Sequence, residues 1–273
     1  MLNKTMPLWK WILLFLASLL LSLILYAVAQ SSMVTLDGPA AWGVGILLAA
    51  GMLGLYDLFV RWFEKGKPKD LPLRRCAVGT GMGLLTGVAF FVCVVGVMYA
   101  ISIYRVEGVC MDWRKMADIF FLYLVVAVGE EIIFRGVLFR WIDERFGFWW
   151  ALGISGLVFG LAHIFNDGAT IWSSLAIALE AGVMLGAAYK YSGNLWFPIG
   201  IHWAWNFTQG TIFGFAVSGT QVGYSLLMPD IDGPVWLTGG AFGAEASPIA
   251  AVIGLALAIH LIYASKDQMM ASS

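Results

Sequence analysis

An all-α, polytopic membrane helix bundle with about eight transmembrane helices is the predicted fold class, and three observations predict it. The 273 residues are 60% hydrophobic and only 12% charged, with a mean hydropathy of +0.84, a balance outside the range of ordinary water-soluble domains. Apolar residues gather into long runs, several near the ~20 residues needed to cross a hydrocarbon core as a helix. Basic residues cluster between particular runs, the asymmetry that orients membrane proteins.

Lys4 and Lys10 precede the first apolar run, 11–29, in which Ala27-Val28-Ala29 resembles a small-residue cleavage site. The run exceeds the ~7–15 residue core of a signal peptide, so it reads as a retained first helix. A second run covers 39–63. The linker after it carries Lys65, Lys67, Lys69, Arg74 and Arg75, which makes it cytoplasmic and solvated, with acidic-lipid contact as the alternative. The third run, 77–103, contains Gly79, Gly81, Gly83, Gly87 and Gly96, suited to close helix packing. After a polar segment at 104–118, a fourth helix carries Glu130 and Glu131 and continues through Arg140 to Arg145. Helices five to eight fall at 148–163, 170–189, 195–215 and 248–264.

The chain thus divides into N-terminal transmembrane helices with a basic linker (1–117), a polar-residue core (118–215), and an outer loop with the last helix (216–273). With both termini cytoplasmic, 61–75, 135–145, Lys190 and Lys266 lie inside. The linkers 30–38, 164–169 and 217–247 contain no Lys or Arg and fit the outer side. The 104–118 linker is the exception, with Arg105, Arg114 and Lys115 balanced by Glu107, Asp112 and Asp118. A net charge of −1 argues against a nucleic-acid partner. Cys76, Cys93 and Cys110 are widely spaced without a C-x-x-C, so they suggest neither a zinc knuckle nor a disulfide framework.

Ionisable residues inside a membrane helix cost on the order of 3 kcal/mol each and mark functional sites. Glu130 precedes the turn at Phe146-Gly147 by about as many residues as His163 follows it, so an antiparallel hairpin places them at one height. His202 and Asn206 enter about two turns into the seventh helix, which sets the group roughly 10–20 Å below the cytoplasmic surface. Glu131 with Arg135, Phe159 with His163, and His202 with Asn206 share i,i+4 spacing and hence a helix face. Arg135 neutralises Glu131, while Glu130, about 100° round the helix, points elsewhere as the reactive group. A carboxylate and an imidazole at one height can take a proton from water. Donors at His202 and Asn206 can stabilise the resulting oxyanion. The implied reaction is amide hydrolysis without a covalent intermediate.

These motifs, E-E-x-x-x-R, F-x-x-x-H and H-x-x-x-N, resemble in order those of the CAAX prenyl protease and bacteriocin-processing (abortive-infection) family of intramembrane glutamic endopeptidases. The similarity covers roughly 118–209. It implies an eight-helix bundle acting on peptide or lipidated protein substrates in the bilayer, without cofactor. Glu130 becomes the general base, His163 its partner, and His202 and Asn206 the oxyanion donors, with Glu131, Arg135 and Phe159 in support. The absence of organelle signals favours a bacterial cytoplasmic membrane.

Other readings stand beside this one. Glu130, His163 and His202 form a chemically sensible zinc-ligand set, although there is no H-E-x-x-H. Gly153-Ile154-Ser155-Gly156 matches the G-x-S-G of rhomboid serine proteases, but the order of the motifs is reversed. A non-catalytic immunity or scaffold protein of the same family is the third reading. Glu180 is read as structural, paired with Arg135 or protonated. Asp57 with Arg61 is an i,i+4 pair, Gly182 and Gly186 a close-packing face, and His260 a packing residue. Trp149, Trp150, Trp196 and Trp203 suit an interfacial belt.

Overall fold

The computed structural model describes residues 6–33, 36–64, 66, 68–221 and 223–271, with backbone only at 63 and 266–271. Lys4, Lys65 and Lys67 lie outside these residues, as does the side chain of Lys266. Three long helices come first: α1 (Leu8–Met33), α2 (Gly38–Phe63) and α3 (Cys76–Ala100). The strand β1 (Tyr104–Val109) leads to α4 (Trp113–Glu131), which runs through a π-helical stretch, Ile132–Phe139, into α5 (Arg140–Phe146). Then come α6 (Phe148–Ala162) and a rod made of α7 (Ile171–Ile177), a π stretch Ala178–Val183 and α8 (Met184–Ser192). The next rod joins α9 (Trp196–Asn206) to a π stretch, Phe207–Ile212. The chain ends with β2 (Leu227–Ile231), α10 (Val235–Thr238), a short 3-10 turn Ala244–Ala246 and α11 (Pro248–Ala271).

Joining helices across the π stretches gives a helical bundle whose long rods follow the predicted order. Among the described residues, five helices are long and apolar enough to cross a membrane: Leu8–Met33, Gly38–Trp62, Leu73–Ala100, Ile171–Ser192 and Pro248–Ser265. The α6 helix is shorter, and α4 carries the charges that the site needs. Asp112 caps α4 by accepting from the Arg114 and Lys115 N–H groups at 3.1 and 3.2 Å, so this polar segment ends in a helix start.

The basic segments meet at one end of the bundle. Arg140 forks onto Glu64 at 2.7 and 2.6 Å, Lys190 reaches Asp143 at 2.8 Å, and Arg145 stacks on Trp11. Asp70 is buried there, accepting from Tyr56 at 2.6 Å. At the other end β1 and β2 pair antiparallel, Tyr104 opposite Ile231 and Val109 opposite Leu227, with a bulge between Val106 and Gly108. The two polar linkers 104–118 and 217–247 therefore share an end, which the sequence left as an inconsistency of charge.

Small residues let the rods touch backbone to backbone. A Cβ on Gly83 would lie 2.3 Å from the Phe197 carbonyl oxygen, and one on Gly200 would lie 2.4 Å from that of Thr80, so α3 and α9 approach as closely as helices can. A Cβ on Gly182 would meet Gly156 at 2.5 Å, which locks α6 against the π stretch of the next rod.

Candidate active site

The candidate residues of α4, α6 and α9 converge because α4 packs against α9 and the π continuation of α4 packs against α6. Each of the three π stretches adjoins the convergence: the first begins right after Glu131, the second holds Glu180, and the third begins right after Asn206. Such widened turns recur at functional sites. Here two carbonyls of the second stretch, Ala181 and Gly182, accept from the Arg135 guanidinium at 3.0 and 3.4 Å.

Glu131 and Arg135 form the floor. Both are about fully buried, and Arg135 Nη1 donates to Glu131 Oε1 at 2.8 Å. The guanidinium also lies over the Phe159 ring, 4.8 Å from its centre. His202 joins them, its Nδ1 2.9 Å from the same Glu131 oxygen. The expected Glu131–Arg135 pair is present, and it reaches α9 as well. Glu180 does not pair with Arg135: neither of its buried carboxyl oxygens has a hydrogen-bond partner among the described residues.

Above this floor, Glu130 faces a cavity of about 200 Å³, room for several waters at ~30 Å³ each. Glu130, His163, His202, Asn206 and Phe159 all line it. Glu130 Oε2 lies 3.9 Å from His202 Nε2, too long for a hydrogen bond and wide enough to seat a bridging atom. Its other oxygen accepts from Tyr26 Oη at 2.9 Å. His163 caps α6 with Nδ1 2.7 Å from the Phe159 carbonyl oxygen, which orients the ring. The Asn206 amide makes no hydrogen bond among the described residues and is 6% exposed.

His163 stands about 25 Å along α6 from the turn at 146–148, at 1.5 Å per residue, and Asn166, Ser218, Thr220 and Glu245 line the same cavity. The cavity thus reaches the 217–247 segment, whose β2 pairs with β1.

Three contributors escaped the sequence reading. Tyr26 is the one tyrosine of α1, the one signal that marked it. Gln209, one turn past Asn206 on the same face, is fully buried and bridges Trp205 and the Ala216 carbonyl at 2.7 and 2.6 Å. Glu245 accepts from the Ser218 N–H and is 1% exposed. Burial pushes its carboxyl up from the ordinary 4.5 to about 7, opposed by the bonds from Ser218 and Gln209 and by nearby His202.

The alternative residues fare differently. Ser155 is buried, its hydroxyl has no hydrogen-bond partner, and it does not line the cavity. Among the described residues no three His, Cys, Asp or Glu side chains are gathered as metal ligands. Asp57 and Arg61 are paired, with Arg61 Nη2 at 3.0 Å.

Comparison with known proteins locates the same region. Residues 112–208 match the family model of the type II CAAX prenyl endopeptidase, Rce1-like, a span that contains all seven motif residues and excludes Tyr26, Gln209 and Glu245. The uncharacterized protein YpbD of Bacillus subtilis (strain 168) is 32% identical over 89 residues. That alignment covers 33% of this chain and 42% of the relative, so the chain spans less than half of the relative's length. No solved structure matches the chain.

Proposed function

We propose, from its place in the Rce1-like family of type II CAAX prenyl endopeptidases across residues 112–208, that this integral membrane protein is an endopeptidase whose attacking water is activated by Glu130. The observation that carries the reading is that Glu130, His163, His202 and Asn206, from three separate rods, line one cavity.

In this mechanism water sits between Glu130 and the imidazoles. Glu130 takes its proton, and the hydroxide adds to the scissile carbonyl carbon. The Asn206 amide, free of other bonds, meets the oxyanion. With His202 Nδ1 donating to Glu131, a second donor bond from Nε2 to the oxyanion needs the doubly protonated ring, whose counter-charges are then Glu131 and the oxyanion itself, Glu130 holding the proton taken from water. Collapse of the intermediate breaks the C–N bond, and the proton held by Glu130 passes to the leaving amine. The substrate is a membrane-associated peptide, prenylated or unmodified, in a bacterial cytoplasmic membrane with both termini of the enzyme inside.

The test is turnover of a quenched fluorescent peptide library, prenylated and unmodified, by purified protein in detergent. Glu130→Gln is expected to lower kcat by about 10²–10⁴, and a chelator to leave it unchanged. Inhibition by chelator with recovery on adding zinc would replace the glutamate mechanism with a metal one. Folded wild-type protein that turns over nothing would support a non-catalytic membrane partner.

A further inference from the structure

We infer that Tyr26, on the N-terminal helix and outside the family-matched segment, is the residue that positions Glu130 for catalysis; the inference rests on Glu130 being the base. Glu131 has two partners holding it, Arg135 and His202. Glu130 has one hydrogen-bond donor among the described residues, and it is the Tyr26 hydroxyl at 2.9 Å. The next polar atom, His202 Nε2 at 3.9 Å, is beyond hydrogen-bond reach.

A glutamate side chain has three rotatable bonds, and leaving them free in a cavity costs both entropy and alignment. A charge-assisted O–H···O⁻ bond to Oε1 fixes the rotamer. It leaves Oε2 as the oxygen nearer His202, beside the cavity that both residues line. The hydroxyl thus decides which carboxylate oxygen works as the base.

The local sequence is built around this contact. Gly129 precedes Glu130, and a Cβ there would lie 2.3 Å from Cδ2 of the Tyr26 ring. Any side chain at 129 would therefore push the tyrosine away from the carboxylate. The placement is also unusual for its helix. Only Trp11, Ser18, Ala29 and Met33 of the 26 residues of α1 are buried, so α1 shows mostly aliphatic side chains outward, yet Tyr26 and Gln30 wall the cavity. A helix that contributes little packing contributes a contact to the reacting group.

The experiment compares Tyr26→Phe, Gly129→Ala, the double variant and Glu130→Gln in the same peptide assay, with Tm measured for each. Tyr26→Phe keeps the ring and loses the hydroxyl. It is expected to lower kcat about ten- to hundredfold, with KM and Tm close to wild type. Gly129→Ala is expected to lower kcat similarly by displacing the ring. In the Tyr26→Phe background, where no bond is left to lose, it should add little. Wild-type kcat in Tyr26→Phe beside an inactive Glu130→Gln overturns the positioning role and leaves the proposed function standing. A kcat loss that tracks a fall in Tm, or that is additive in the double variant, assigns Tyr26 to packing and overturns it too. Wild-type turnover in Glu130→Gln removes the function reading itself, and this inference with it.

Discussion

Two neighbouring carboxylates in this chain have opposite surroundings. Glu131 is fully enclosed with the Arg135 guanidinium and His202, whereas Glu130 borders water-sized space. Removing one partner from a buried ion pair leaves the other charge uncompensated, at about 3–5 kcal/mol. Glu131→Gln should therefore lower stability by about that much, read from denaturant or thermal unfolding in detergent. Arg135→Met added to it should recover part of the loss, since the orphaned charge is then gone. Glu130→Gln should cost much less stability while it removes turnover, because Arg135 keeps its direct partner Glu131. The sequence made the Glu131–Arg135 pair visible through its i,i+4 spacing. The bond from His202 to Glu131 and that from Tyr26 to Glu130 join residues far apart in the chain, and no local periodicity reports such contacts.

At the scale of helices, the rods were legible because each is a long apolar run bounded by polar turns. Their internal irregularities were not. The π stretches Ile132–Phe139, Ala178–Val183 and Phe207–Ile212 consist of residues that would serve equally well in a regular helix, so only the tertiary context shows the widened turns. The glycines of α3 signalled close packing without naming the partner, which is α9. Gly83→Val should force α3 and α9 apart, since even a Cβ falls 2.3 Å from the Phe197 carbonyl oxygen. Overpacking of this kind costs about 1–3 kcal/mol. Because α9 carries His202 and Asn206, the variant should lose turnover as well as Tm. The same substitution at Gly81, where a Cβ meets nothing within 4 Å, should do neither, and a parallel assay of the two variants checks this.

For the whole molecule, the sequence of the long 217–247 segment shows no Lys or Arg and places it in an outer loop, with no more to say of its shape. Its structure depends on pairings that sequence does not display: β2 on β1, and the Ser218 N–H on Glu245. The raised Glu245 carboxyl makes stability depend on pH with a definite sign. The folded state holds a proton that the unfolded chain releases near 4.5, so the contribution is full below about 4.5 and is lost as pH rises through about 7. Glu245→Gln should accordingly gain Tm relative to wild type between pH 5 and pH 8. A constant difference across that range would show that the folded-state carboxyl is not raised above its unfolded value.

The pairing of β1 with β2 also sets an order of events during synthesis. The strand at Tyr104–Val109 must wait for Leu227–Ile231, and Glu130 must wait for Glu245 to complete the cavity wall. At about 5–20 residues per second, the interval from residue 130 to residue 245 is roughly 6–20 seconds. Throughout it the nascent chain holds Glu130 without the far wall of its cavity. The cavity is thus assembled last, once the segment just before α11 arrives.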